Sequence, residues 1–427
     1  MKQFGLAALA LGTAALILVA KAASPVTIQY ATWDATREKA DKKLIAAFEK
    51  SHPEIKVKYN LVAWDTYWQK AAAMTAGGAT FDVLWMNLDN FPFYASQGAL
   101  EGIPITAEEK AMYPAASINP YLNSAGTTAY GLPLGPQAVS VYVNRGLFKE
   151  RGVKIPTTAW TWNEMLAAAK KLTFKKGNKK YWGINGQDMQ VDLEYGMSFY
   201  YTFGGSALIK KTAAGWEPNL DSSFRATAKK LYDLVFTDKV APSIKDTAQA
   251  GYQLFQAGQL GIYVEGTWMT SVLNETPKLD WAFAPFPTLK VGEKSKAVFS
   301  AHALSIPTGA KEKAAAQVFA RWATTDKGAS ELLANNGLFP TQAEPFSQQF
   351  LKSLPNKNGK AILEQLKTSV VINSDLRSIS NLPEVLTALN SALNLAWTGN
   401  SKLDKAIDKA SSDMKKLLKD SDTIELK

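Results

Sequence analysis

The chain has 427 residues, 46% of them hydrophobic, with no cysteine, two histidines and a formal net charge of +10. That length favours two sizeable cores over one, and the missing thiols exclude disulfides, Cys-based metal sites and thioether-linked lipids. The positive excess is mostly lysine scattered beside acids, as in Lys39-Ala40-Asp41-Lys42-Lys43, which describes a solvated surface and argues against a nucleic-acid stripe.

At the amino terminus a basic start, Met1-Lys2-Gln3, precedes an apolar run from Phe4 to Ala20 and the segment Ala20-Lys21-Ala22. This is the pattern of a secretory signal with an A-x-A cleavage site, and the run falls short of the ~20 residues of a membrane span. Residues 1–22 are predicted to be removed, leaving a periplasmic or secreted chain with no lipid anchor. Val26 to Tyr30 alternates as a strand, and Thr36 is placed to cap a helix with Ala40, Leu44, Ala47 and Phe48 on one face. Ile55, Val57, Tyr59 and Leu61 mark a second strand. Asp65 opens a helix that stops at Gly77-Gly78, and Phe81 to Met86 forms a third strand. This alternation predicts an α/β sheet with crossover helices.

Gly131-Leu132-Pro133-Leu134-Gly135-Pro136 reads as a rigid hinge crossing between two lobes. Beyond it Val139, Val141 and Val143 alternate, and Thr161-Trp162-Asn163-Glu164 is a capping box on a helix running to about Leu172. Ala284-Pro285-Phe286-Pro287 marks a second crossing and Phe339-Pro340-Thr341 a third interruption. Ala315, Val318, Phe319 and Trp322 form a helical stripe, and Leu403, Ile407, Ala410, Met414 and Leu417 define an amphipathic helix at the carboxyl end. The expected division is a signal at 1–22, an N-terminal lobe of 23–134 with 289–341, and a C-terminal lobe of 135–288 with 342–427.

Most catalytic motifs lack their parts. His52 and His302 cannot build an H-E-x-x-H zinc site, no G-x-x-x-x-G-K-[ST] loop is present, and Ser412-Asp413-Met414-Lys415 has no K-T-G to accompany it. No metal, cofactor or catalytic residue is therefore expected. Paired carboxylates for glycoside hydrolysis stay open, because such pairs are set by space rather than by spacing.

Several polar and aromatic residues fall where strands should end: Trp33-Asp34 after the first strand, Asn87 and Asp89 after the third, and Trp268 after Leu260 to Val264. Ligands of open α/β sheets bind beyond the carboxyl ends of strands. A sugar suits this mixture, since its C–H face packs on an indole while its hydroxyls need acids and amides in fixed directions. Each residue also has a plainer use. An indole can fill a core, Asp34 and Asp89 can cap or turn, and Asn87, Gln137, Glu265 and His302 can satisfy loops.

In order along the mature chain, several segments resemble the extracellular solute-binding proteins of family 1, the maltose-binding type. Phe48 to Val57 is similar to F-x-x-x-x-P-x-I-x-V. Gly78-Ala79-Thr80-Phe81-Asp82-Val83 is similar to G-x-x-P-D-V, with Phe81 in place of proline. Gly98-Ala99-Leu100, Tyr130-Gly131-Leu132-Pro133, Tyr142 to Phe148 and Trp160 to Glu164 continue the match. Phe255 to Gly261 resembles F-x-x-G-x-x-A, and Gly266-Thr267-Trp268 resembles G-x-W. The resemblance implies a two-lobe periplasmic binding protein fold of type II, with mixed sheets flanked by helices and hinge strands crossing between lobes. It also implies closure around a solute, ligand-facing loops carrying Trp33, Asn87, Trp268 and His302, and a late arginine, Arg377, reaching the cleft.

The resulting expectation is a monomeric sugar receptor for an ABC importer permease. Trp33 and Trp268 would stack on pyranose faces, while Asp34, Asn87, Asp89, Gln137, Glu265, His302 and Arg377 bind hydroxyls. The rivals are a secreted glycosidase using a pair among Asp34, Asp89 and Glu265, and a receptor for a polyamine, peptide or other non-sugar solute.

Overall fold

The computed structural model describes residues 24–76, 80–186, 189–190, 194–325, 327–328, 344–371 and 379–424. The expected signal, the Gly77-Gly78 stop, the interruption at 339–341 and Arg377 lie outside the described residues. Among the described residues no helix is long and apolar enough to cross a membrane.

The chain opens with β1 (Val26–Thr32), α1 (Glu38–Ser51), β2 (Ile55–Leu61), α2 (Trp64–Ala76) and β3 (Val83–Met86). β1 pairs in parallel with β2 on one side and β3 on the other. A central parallel strand is covered on both faces, so the strict alternation expected for β1 gives way to continuous burial toward Thr32. The cap before α1 also differs from expectation. Thr36 lies inside a short 3-10 turn, and its N–H is accepted by Asp34 Oδ1 at 3.0 Å. Asp34 is therefore the cap, as a carboxylate beside an orphan N–H should be.

After α3 (Phe91–Ser96) comes β4 (Leu132–Asn144), and then α4 (Trp162–Leu172), which carries the predicted Thr161–Glu164 capping box. β5 (Phe174–Lys176), β6 (Lys179–Ile184), α5 (Glu194–Thr202), β7 (Leu260–Gly266), α6 (Met269–Glu275), β8 (Trp281–Ala284) and β9 (Val298–Ser305) follow. Later come α7 (Lys313–Thr324), β10 (Val370–Val371), α8 (Leu382–Trp397) and α9 (Leu403–Leu418). The ten strands run in the order β2-β1-β3-β9-β4-β7-β6-β5, with β8 also on β4 and β10 also on β9.

Two strands serve both halves of this mixed sheet. The first part of β4 pairs with β9, and its second part pairs with β7 and β8. β9 ends against β3, whereas its start is tied to the other half, because Val298 N–H donates to Ser198 Oγ of α5 at 2.9 Å. The Gly/Pro segment expected to be a hinge is thus strand from Leu132 onward. Prolines break its ladder, and the pairing slips by one residue: Ala301 faces Pro136 but Ala303 faces Pro133. Leu134 and Gly135 together oppose His302, with Gly135 at φ 68°, a bulge of the kind that re-aims side chains beside a site.

One helical stripe is turned from its expected position. On α7 the buried residues are Ala316, Phe319, Ala320 and Ala323, while Val318 is exposed and Ala315 and Trp322 are half-buried. Lys313, Gln317 and Arg321 recur every fourth residue as the polar face, and the small alanines beside Phe319 take the inner face where α7 lies close on β1 and α1. Phe319 fills the space there, 5.6 Å from the Tyr30 ring and 5.0 Å from Phe48. Asp82 pins the same corner, since its carboxylate accepts from Gln29 N–H of β1 and from Lys311 and Glu312 N–H before α7.

Candidate functional site

The carboxyl ends of β1 and β3 carry Trp33, Asn87 and Asp89, and the parallel pairing of β1 with β3 brings those ends together. Leu304 of β9 pairs with Trp85, and Ser300 pairs with Gln137. With a side-chain period of two, Trp85, Asn87, Ser300, His302 and Gln137 share one face of the sheet.

Trp33 is half-buried in a cluster of rings, its centroid 5.3 Å from Trp64, 5.0 Å from Tyr67, 5.3 Å from Trp68 and 5.5 Å from His302. Trp64 and Tyr67 of α2 meet the indole edge to face. His302 is a strand residue rather than the loop residue expected. It stacks on Trp85 at 5.4 Å with the planes 12° apart, and its Nδ1 is buried without a hydrogen-bond partner among the described residues. Burial, with the nearby Arg37 charge, pushes its pKa down to about 3, so the ring is neutral and can either donate or accept.

Asn87 already has local work, because its Oδ1 accepts from both the N–H and the side-chain amide of Asn90 at 3.0 Å. Its amide nitrogen alone can turn to a ligand. Asp34 Oδ1 is committed to capping the 3-10 turn before α1. Gln137 lies within β4 rather than in a loop, is 7% exposed, and its side chain makes no hydrogen bond among the described residues.

In the other half Glu265 sits near the end of β7 instead of in a loop. Tyr263 Oη donates to one carboxylate oxygen and Gly266 N–H to the other, both at 2.8 Å. Trp268 begins α6, half-buried, with Tyr195 at 6.5 Å. A Cβ on Gly266 would fall 2.0 Å from the Trp268 ring, so only glycine lets the indole lie flat on this backbone. The two expected stacking residues do not touch. Each belongs to its own half.

Electrostatics join the halves. Glu194, at the start of α5, is half-buried, and its pKa is pushed up to about 8 by desolvation and by the charges of Asp89 and Glu265. Asp89 belongs to the half with β3 and Glu265 to the half with β7, so carboxylates of both halves act electrostatically on Glu194. Sequence reasoning missed Glu194 and Tyr195. The available signal was the strand-end rule applied to Lys179–Ile184, whose carboxyl end leads toward Glu194. A crevice of about 680 Å³ also runs between the halves, lined by Thr36 and Lys39 on one side and Ser271 and Glu275 on the other. It contains none of the expected ligand residues. An exposed Lys39–Glu275 pair at 3.4 Å spans the same gap. Among the described residues no group of His, Asp and Glu could hold a metal ion.

Two halves of one mixed sheet sharing crossing strands, each with an indole and a carboxylate at or just after a strand end, give a two-lobed binding architecture. Residues 33–330 match the family model of the bacterial extracellular solute-binding proteins, and the chain belongs to that family. It is 24% identical over 428 residues to the mannitol-binding protein of Pseudomonas aeruginosa, covering 94% of each chain. An ABC substrate-binding protein from Listeria monocytogenes in complex with cycloalternan superposes with a TM-score of 0.81 at 24% identity, over 92% of this chain and 99% of that one. The maltose/maltodextrin-binding domain from Bdellovibrio bacteriovorus bound to maltotriose gives 0.75 at 16% identity, over 92% and 100%. The fold is thus the expected mixed α/β, two-lobe binding-protein fold.

Proposed function

We propose that this protein is an extracytoplasmic sugar receptor that closes its two lobes on a mono- to oligosaccharide and delivers it to an ABC importer permease, without chemical change. The observation that carries this reading is a half-buried indole after a strand end in each half, Trp33 and Trp268, together with Glu194, on which the charges of Asp89 and Glu265 both act. Hydroxyls need charged acceptors, and sugar C–H faces need rings. The lobes would be 23–134 with 289–341 and 135–288 with 342–427, the receptor monomeric, its signal of residues 1–22 removed, with no lipid anchor. In the closed site Trp33, Trp268 and Tyr195 face the sugar rings. Asp34, Asn87, Asp89, Gln137, Glu194, Glu265, His302 and Arg377 supply the polar contacts.

A thermal-shift panel of mannitol, tagatose, maltotriose and cycloalternan tests the reading. At 100 times its Kd a bound sugar should stabilise the fold by about 2.7 kcal/mol. Absence of any shift, with a shift from a polyamine or peptide instead, overturns the substrate class. Incubation with labelled oligosaccharide should give stoichiometric binding and no product, and turnover would establish the glycosidase reading. Gly266→Ala should displace the Trp268 indole and weaken sugar binding by up to roughly tenfold, the worth of one aromatic contact. Titration calorimetry against the unchanged chain measures it.

A further inference from the structure

Arg37 lies 4% exposed, and its guanidinium carbon is 3.9 Å from the centre of the Trp85 ring. Asp41, fully buried, holds it through a 2.7 Å ion pair. Trp85 carries the His302 ring on its π-system, and the His302 ring in turn packs on Trp33. A continuous series of packed groups thus runs from a buried ion pair, through an indole that is 1% exposed, to His302 and the half-buried Trp33. It carries a nine-tenths buried ring nitrogen, His302 Nδ1, with no hydrogen-bond partner among the described residues. A buried polar atom with no partner is costly unless something else completes it. Arg37 Nε and Asp41 Oδ2 likewise have no hydrogen-bond partner among the described residues.

We infer that Arg37 is a positioning residue for sugar recognition: it fixes Trp85 and through it His302, so that His302 Nδ1 meets a sugar hydroxyl beside the Trp33 face. The inference rests on the reading of the cleft as a sugar site. The planar guanidinium matters as well as the charge, because a lysine presents no flat face to an indole.

The test uses the full chain with Arg37→Met, Arg37→Lys, His302→Ala and Trp268→Ala, and whichever panel sugar the wild type binds most tightly. Arg37→Lys keeps a cation for Asp41 and serves if Arg37→Met does not fold. Arg37→Met should weaken binding roughly tenfold and Arg37→Lys by less, and His302→Ala added to either should change little further, because residues in one contact network are non-additive. Trp268→Ala, from the opposite half, should multiply with each Arg37 change. Wild-type affinity in a folded Arg37 variant, or full multiplication with His302→Ala, overturns the inference. A ligand-free readout separates this from the sugar reading. In a His52→Gln background His302 is the single imidazole, and its NMR resonances should move in the Arg37 variants as Trp85 shifts. Unmoved resonances overturn the inference even when a sugar binds, whereas failure of every sugar to bind leaves this readout to decide alone.

Discussion

Asp41→Ala is expected to lower the unfolding free energy by about 3–5 kcal/mol, the usual loss when one partner of a buried ion pair is removed. Arg37 cannot shed its proton, so the variant leaves a full charge 4% exposed at the start of α1 with no other ion pair among the described residues. The midpoint of urea unfolding should fall at constant slope. The intact pair is itself a poor stabiliser. Burial outweighs the attraction of Arg37 and pushes the Asp41 carboxyl up to about 6. The double change Arg37→Met with Asp41→Leu should therefore restore stability to within about 1 kcal/mol of wild type or exceed it. A double variant as unstable as Asp41→Ala would show that the pair holds the fold. A stable double variant with weakened sugar binding would show that its use lies in the site.

The parts of the fold written in local pattern were legible from the chain. β2, the α4 capping box and the α9 stripe depend on spacing of neighbours, and Thr161 with Glu164 needs no distant partner to be recognised. What distant partners decide was not legible. Pro133 and Gly135 spell a turn, yet β9 recruits them into a strand by tolerating a bulge. On α7 it is the closeness of β1 and α1 that selects the alanines beside Phe319.

The candidate site divides in the same way. Trp33, Asp89 and Trp268 are proposed by the strand-end rule, because each follows a readable strand. Arg37, Asp41 and Trp85 matter through stacking and burial, and nothing in Thr36-Arg37-Glu38 distinguishes a guanidinium under an indole from one in water. Glu194 stayed hidden because its environment is made by two residues of other elements, 105 positions before it in Asp89 and 71 after it in Glu265.

Glu194 gives the protein a stability that should fall as pH rises. In the unfolded chain its carboxyl titrates near the ordinary 4.5, and in the fold near 8, with desolvation the first cause and the Asp89 and Glu265 charges the next. Between those values the folded state holds a proton that the unfolded state has released, so the slope of unfolding free energy with pH is negative. The decline begins above about pH 4.5, runs through neutrality and levels beyond about pH 8. Full burial would make the total ~5 kcal/mol, but a half-buried carboxyl in a wet gap is screened, and a fall of roughly 2 kcal/mol is expected. Glu194→Gln has no proton to lose, so its melting temperature should stay flat from pH 5 to 8 relative to wild type and exceed it at the alkaline end. Parallel melting curves for the two proteins across that range would mean that the carboxylates of the two halves do not act on Glu194, and the bridge between the halves would have to be sought elsewhere.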